Sequence, residues 1–357
     1  MKHILFITTS ILSLLALWGG CSTEVDLNAP PKDIWVVYGV LNPLDSVQYI
    51  RISAGYLPTE NALDYAKAND LSVKGLKVVL TGDGKSYEAV ETDSVAKTPE
   101  NGVFYPYTTL YKIETKGAQA LSPGKRYDLK ITKPDKAGFE LSSYTEIPSN
   151  MAFQNISPVP GGPGGSQRCL RRAPVESEYK LEFTKGTGSA FEMRAYLKYQ
   201  VNGEEKELIY GPTQMFDENY RCTSSGSSSM CYQFREKEML VFFYNEVDPD
   251  PRNVYTYGIN DQTRCNDNAA NLPDDFRVEV TAMDRFLANY RRANDPRFLD
   301  LNSVRPEYSN ITGPADAEVI GILGSTNAAS GSVRLSPCGE YLLMLNNAPL
   351  PSEPCSL

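Results

Sequence analysis

The stretches IWVVYGVL at Ile34–Leu41 and VQYIRIS at Val47–Ser53 decide the reading of the fold. The first is rich in β-branched and aromatic residues. The second alternates, with Val47, Tyr49 and Arg51 on one face and Gln48, Ile50 and Ile52 on the other. A period of two is the signature of a strand, and β-branched and aromatic side chains suit its pleated surface. The same rhythm returns at Val73–Thr81, Ser86–Glu91, Phe104–Thr115, Arg126–Lys133 and Glu140–Ile147. Gly82-Asp83-Gly84 and Pro134-Asp135 supply turns between them. Glu60–Asp70 is the one helical stretch here, with Leu63 and Ala66 at helical spacing. About seven short strands with regular turns predict an immunoglobulin-like β-sandwich over residues 34–149.

Beyond Pro148-Ser149-Asn150 the pattern changes. Pro158–Ser166, PVPGGPGGS, reads as a loop. Tyr179–Thr184, Phe191–Val201 and Arg277–Met283 read as strands. Val319–Gly324 and Ser332–Leu335 read as short β patterns. Arg235–Val247 sets Met239, Leu240, Phe243 and Val247 on one helical face. Asp284 is placed to N-cap a helix over Arg285–Arg292, whose apolar face is Phe286, Leu287 and Tyr290. Residues 150–357 are therefore expected to form a second, Cys-rich α+β domain. A chain of 357 residues exceeds the size at which one core stops growing, which supports two domains.

All the later cysteines fall in that second segment: Cys169, Cys222, Cys231, Cys265, Cys338 and Cys355. With Cys21 they make seven, so one stands apart. The N-terminus says which. Lys2 gives a positive start, Ile4–Leu17 is largely apolar, and Gly19, Gly20 and Cys21 follow. The apolar run is too short to span a bilayer and matches a signal peptide over residues 1–20. Cysteine after two small residues resembles a lipoprotein cleavage site, although the usual Leu three positions earlier is Trp18 here. Lipidation of Cys21 leaves a polar tether, residues 21–33, and six cysteines for disulfides in an exported chain. Cys222 and Cys231 flank TSSGSSSM and are favoured as one staple, while the pairing of the other four is open.

Composition narrows the function. With 44 acidic against 35 basic residues, the chain is a poor nucleic-acid binder. Its one histidine, His3, lies in the signal segment, which excludes His-based triads and His-ligated metal in the processed chain. Ser94-Val95-Ala96-Lys97 matches a serine–lysine acylation motif, but it sits between strands and lacks a K-T-G partner. Asp248-Pro-Asp250, Asn266-Asp267-Asn268 and Asp274-Asp275 are oxygen-rich loops. They suit calcium, and turn-forming Asx residues explain them equally well, so the metal assignment stays open. Gly161–Gly165 lacks the sequence that would make it a phosphate loop. No cofactor is expected. Tyrosine is abundant, with 22 residues. Tyr105, Tyr107 and Tyr111 share one strand face by parity, as do Tyr255 and Tyr257, which suits either an interface or cross-strand packing.

Several features in order resemble the Bacteroidota lipoproteins of the domain-of-unknown-function 4249 family. They are Cys21 with its acidic tether, VVYGVLN at Val36–Asn42 and YTEIP at Tyr144–Pro148. VEVTAMDRFLANY at Val278–Tyr290 and EYSNITGPADAEVIGILGS at Glu307–Ser325 follow. The resemblance covers nearly the whole processed chain. Such proteins are typically encoded beside TonB-dependent receptors. It implies a non-enzymatic, lipid-anchored protein of the outer membrane, facing periplasm or exterior, with a TonB-dependent receptor as partner. The other expectation is an independent glycan- or peptide-binding adhesin. The family carries no established catalytic residues, and none is assigned here.

Overall fold

A computed structural model describes residues 34–55, 62–96, 105–149, 151–159, 178–201, 204–217, 220, 228–246, 276–295 and 308–332. The chain is mainly β, and its described strands form three sheets. The first half contributes β1 (Ile34–Leu41), β2 (Val47–Gly55), helix α1 (Ala62–Ala68), β3 (Lys77–Gly82), β4 (Lys85–Glu88), β5 (Val90–Ala96), β6 (Tyr107–Glu114), β7 (Arg126–Thr132) and β8 (Glu140–Glu146). The second contributes β9 (Ala152–Val159), β10 (Glu178–Thr184), β11 (Ala190–Val201), β12 (Glu204–Tyr210), β13 (Ser229–Arg235) and helix α2 (Glu236–Glu246). It ends with β14 (Phe276–Met283), helix α3 (Arg285–Ala293) and β15 (Glu318–Ser332).

The largest sheet has eight strands in the order β12-β11-β14-β15-β1-β2-β6-β5. It crosses residue 149, the point where the sequence pattern changes. The strand that carries it across is β15. Its first half pairs in parallel with β1, from Ile34 with Glu318 to Leu41 with Ser325. Its second half pairs antiparallel with β14, from Met283 with Thr326 to Arg277 with Ser332. The close fit at Gly321 explains one residue choice. Its φ is +128°, and a Cβ there would lie 1.8 Å from the Val37 carbonyl oxygen. Glycine alone tolerates that backbone and that approach.

Two separate cores sit against this sheet. The first lies between its β1, β2 and β6 and the four-stranded sheet β4-β3-β7-β8. It gathers Val37, Ile50, Ile52, Tyr111 and Ile113 against Val78, Leu80, Leu129, Ile131 and Leu141. The second joins β11 and β14 to the three-stranded sheet β13-β10-β9 and to α2. Phe183, Phe191, Phe216, Phe243 and Phe276 dominate it, with Met193 and Met239. Each fully buried side chain of this size is worth about 1.5–3 kcal/mol. The helix α3 packs on β15 elsewhere, through Leu287 and Ala288 against Ile322.

The strand alternation of Val47–Ser53 holds through Ile52: Gln48, Ile50 and Ile52 are buried, and Tyr49 and Arg51 are exposed. The turn after β3 also holds. Asp83 and Gly84 both have positive φ, as a two-residue hairpin loop requires. Asp284 caps α3, its carboxylate accepting from the Leu287 amide at 2.8 Å.

Other expectations need correction. The single strand expected at Ser86–Glu91 breaks at Ala89, where the chain passes from the four-stranded sheet to the large one. The loop expected from Pro158 begins inside β9, an edge strand, where a missing amide donor is tolerated. Strands β12 and β13 were not expected. The first is a charged, exposed edge, and the second begins within the serine-rich stretch, at Ser229. The short pattern at Val319–Gly324 is part of a longer strand, β15, of 15 residues that reaches Ser332, and residues 333–335 lie outside the described residues.

Candidate binding face

Pairing across β5, β6, β2 and β1 lays out one open sheet face. Tyr49 on β2 stands opposite Lys112 on β6, and Lys112 stands opposite Val90 on β5. Tyr38 on β1 stands opposite Arg51 on β2. Their neighbours in sequence, Val37, Ile50, Ile52 and Tyr111, point into the first core, so strict alternation forces these side chains outward. Tyr38 is 44% exposed, Tyr49 47% and Val90 67%. Directly opposed side chains lie about 5 Å apart, close enough to act as one surface.

The helix α3 borders this face. The rings of Tyr38 and Tyr290 lie 6.2 Å apart at a tilt. Burial raises the Tyr38 phenol above its usual range, Tyr290 adds to this, and Arg291 opposes it. Hence Tyr38 stays a neutral hydrogen-bonding group at any physiological pH. The helix itself is pinned through its cationic end. Arg291 reaches buried Glu192 at 3.1 Å, Glu192 also holds Arg194 at 2.8 Å, and Arg292 reaches Asp217 at 2.9 Å. Lys112 is engaged by Glu114 at 3.0 Å, which raises its pKa. Arg51 has no ion pair among the described residues. The face therefore offers two phenol rings for stacking, phenol hydroxyls and an uncommitted guanidinium. That chemistry suits a hydroxyl-rich or acidic partner.

The parity of Tyr105, Tyr107 and Tyr111 divides on inspection. Tyr111 is fully buried: its hydroxyl accepts from the Leu76 amide and donates to the Val73 carbonyl at 2.9 Å. Burial pushes its pKa up to about 12. It is a core residue and no part of a surface. Tyr107 lies at the start of β6 and is exposed, and its ring meets that of Tyr105 edge-on at 6.3 Å. Tyr255 and Tyr257 lie outside the described residues.

Ser94 lies within strand β5 and not between strands as expected, and Lys97 is outside the described residues. The oxygen-rich loops at Asp248–Asp250, Asn266–Asn268 and Asp274–Asp275 are outside them too, as are Gly161–Gly165, Cys21, Cys169, Cys222, Cys265, Cys338 and Cys355. Cys231 is buried on β13. Among the described residues no three His, Cys, Asp or Glu side chains come together to hold a metal, and no helix is long and apolar enough to cross a membrane.

Sequence reasoning passed over Tyr38, Tyr49 and Arg51 as surface candidates. The signal was present in the alternation of Val47–Ser53, which places Tyr49 and Arg51 opposite the buried isoleucines.

Comparison with known proteins adds a family and little else. The profile of Domain of unknown function (DUF4249) matches residues 22–332, ending where β15 ends. No curated protein matches the chain. Among solved structures, a DUF4785 family protein from Legionella pneumophila subsp. pneumophila str. Philadelphia 1 is similar at 12% identity, with a TM-score of 0.18. The match covers 69% of this chain and 49% of that one, so the chain spans about half the length of that protein. A bacterial ice-binding adhesin, from a study of host cell surface retention, is similar at 7% identity with a TM-score of 0.17. That match covers 87% of this chain and 66% of the adhesin chain. Neither likeness bears on function.

Proposed function

The chain belongs to the DUF4249 family, and we propose that it is a lipid-anchored, non-enzymatic protein of the outer membrane, facing periplasm or exterior. In this reading it serves a TonB-dependent transporter in nutrient capture or uptake. The observation that carries the reading is the address at its N-terminus. Lys2, the apolar Ile4–Leu17, Gly19, Gly20 and Cys21 stand twelve residues ahead of β1. Acyl chains on Cys21, at about 0.8 kcal/mol per buried CH₂, would hold the protein on a bilayer without a helix. The open face of Tyr38, Tyr49 and Arg51 supports a binding role, since it couples stacking area to hydrogen-bond donors on a rigid sheet.

Two structural expectations belong to the same reading. The first core, closed between two facing sheets, supports an immunoglobulin-like sandwich. Cys231, buried on β13, is proposed to form a disulfide. Its proposed partner is Cys222 across the serine-rich stretch, which leaves Cys169, Cys265, Cys338 and Cys355 to pair among themselves.

The test is affinity purification from native membranes in mild detergent, with mass spectrometry of what accompanies the protein. A stoichiometric β-barrel receptor is the expected result. Recovery of the lipidated protein alone would overturn the accessory role. It would favour an independent surface binder of glycan or peptide, for which the exposed Tyr38 and Tyr49 are the natural contacts.

A further inference from the structure

The strand polarities show which end of the large sheet the tether enters. The chain arrives from Cys21 at Ile34, the first residue of β1. Ile34 pairs with Gly55 at the end of β2 and with Glu318 at the start of β15. Strand β6 runs antiparallel to β2, with Val47 opposite Glu114, so its first residue, Tyr107, lies at the Ile34 end. Ser72 confirms the level. It bridges Ser53 near the end of β2, and its hydroxyl lies 2.9 Å from that of Thr108. Tyr105 joins the same end, its amide donating to the Ala66 carbonyl of α1. At the other end of the sheet lies the β1–β2 turn, with Leu44 64% exposed.

We propose that the anchored protein stands on the bilayer on this end of its large sheet, with the Tyr105–Tyr107 pair seated in the lipid headgroup layer. The inference rests on the lipid-anchor reading and adds the orientation and the contact. Three observations favour a lipid surface as the occupant. First, the segment between the proposed anchor and the sheet ends here. Twelve residues span at most about 40 Å, so this end is held near the membrane at high effective concentration. Second, Tyr107 is 46% exposed and held edge-on to Tyr105, and tyrosine rings with polar tips favour the membrane–water boundary. Third, three carboxylates at this end are held by lysines, in a chain of net charge −9. Asp64 sits 4.0 Å from Lys67, Asp93 2.8 Å from Lys74, and Asp316 3.5 Å from Lys136. Pairing lowers the repulsion these carboxylates would exert on anionic headgroups. The orientation turns the Leu44 tip away from the bilayer.

The test uses the full lipidated protein, reconstituted into phosphatidylcholine vesicles with or without lipid brominated in the acyl chain near the headgroup. Tyr107→Trp and Leu44→Trp are compared with the parent, whose buried Trp35 is a shared background. Quenching of the added fluorescence at position 107 by at least twofold, with none at position 44, is expected. Vesicle co-sedimentation of every variant without quenching at position 107 would overturn the orientation while leaving the anchor intact. Quenching at position 44 alone would invert it. Failure of the parent to co-sediment, with an unacylated N-terminal peptide by mass, would remove the anchor reading and this inference with it. Both substitutions are at exposed sites, and unchanged melting of each variant confirms that the fold is retained.

Discussion

The two cores of this protein are built from different materials. The first is aliphatic, with Val37, Ile50, Ile52, Val78, Leu80, Leu129 and Ile131 between two sheets, and its fully buried tyrosines are Tyr111 and Tyr127. The second is aromatic and sulfur-rich. Phe216 stacks on Tyr232 at 4.5 Å, Phe183 and Phe191 meet at 5.3 Å, and Met193 and Met239 fill between. Branched aliphatics on alternating strands leave few ways to pack. Aromatics and methionine tolerate irregular backbone, which suits a region of mixed sheet and helix. Yet the two cores share one sheet, because β15 pairs with both β1 and β14. The contrast teaches that composition marks the two regions, whereas coupling is set by a strand that belongs to both.

Breaking the shared strand should have the largest effect. Gly321→Val places a branched side chain where a Cβ alone would meet the Val37 carbonyl. A loss of about 4 kcal/mol or more is expected. In chemical denaturation, the signals from both cores should fall together. A melting point within a degree of the parent would contradict the pairing.

Phe243→Ala in the second core should cost about 3–5 kcal/mol. Phe243 is fully buried and lies far in sequence from Trp35. If the cores are coupled, Trp35 fluorescence must report that loss. A shift seen only by probes of the second core would separate the two.

Asp284 sharpens the comparison at the joint itself. Its carboxylate accepts from Thr145 of β8 at 2.6 Å, and Thr145 also lies 2.8 Å from the Ser325 hydroxyl on β15. Burial raises its pKa against the lowering effect of these hydrogen bonds. A carboxyl with a raised folded pKa binds its proton more tightly when folded. Its stabilising contribution is present below the unfolded value of 3.8 and is lost as pH rises through the folded value. Asp284→Asn keeps a good N-cap and removes that titration. The variant should therefore lose less stability than the parent as pH rises from below 3.8 into the range above it. Parallel melting curves across that range would sink the assignment.

The smallest effect on stability is expected on the open face. Tyr49→Ala at an exposed site should change folding by no more than about 0.5 kcal/mol. It should still weaken recovery of the proposed receptor in the membrane purification. Full recovery with Tyr49→Ala and Arg51→Ala together would move the contact elsewhere.

Local features were legible in sequence, and long-range ones were not. Ile50 and Ile52 announced the buried side of β2, because one covered face imposes alternation. Asp284 announced a helix start, since capping is settled within four residues. The strand β15 hid its length. Gly321, Gly324, Ala328, Ala329 and Gly331 have weak strand preference, and the glycines are crowded by neighbours: Gly321 by the Val37 carbonyl, Gly324 by Leu287 and Gly331 by Phe153. Packing overrode propensity there. The parallel pairing of β1 with β15 joins residues at opposite ends of the chain, and no local pattern encodes it. Tyr111 misled for a related reason. Parity placed it with Tyr107, but the strand runs from the exposed rim into the core, so one face passes from water to interior along its length.

The most direct test of the coupling is equilibrium unfolding of residues 21–357 followed by two probes at once. Trp35, packed 4.5 Å from Phe139, is the one tryptophan of residues 21–357 and reports the first core. Far-ultraviolet circular dichroism reports all the sheets. The account predicts coincident transitions with one midpoint. A Trp35 transition clearly displaced from the circular dichroism transition would show two independently unfolding units, and would contradict the role given to β15.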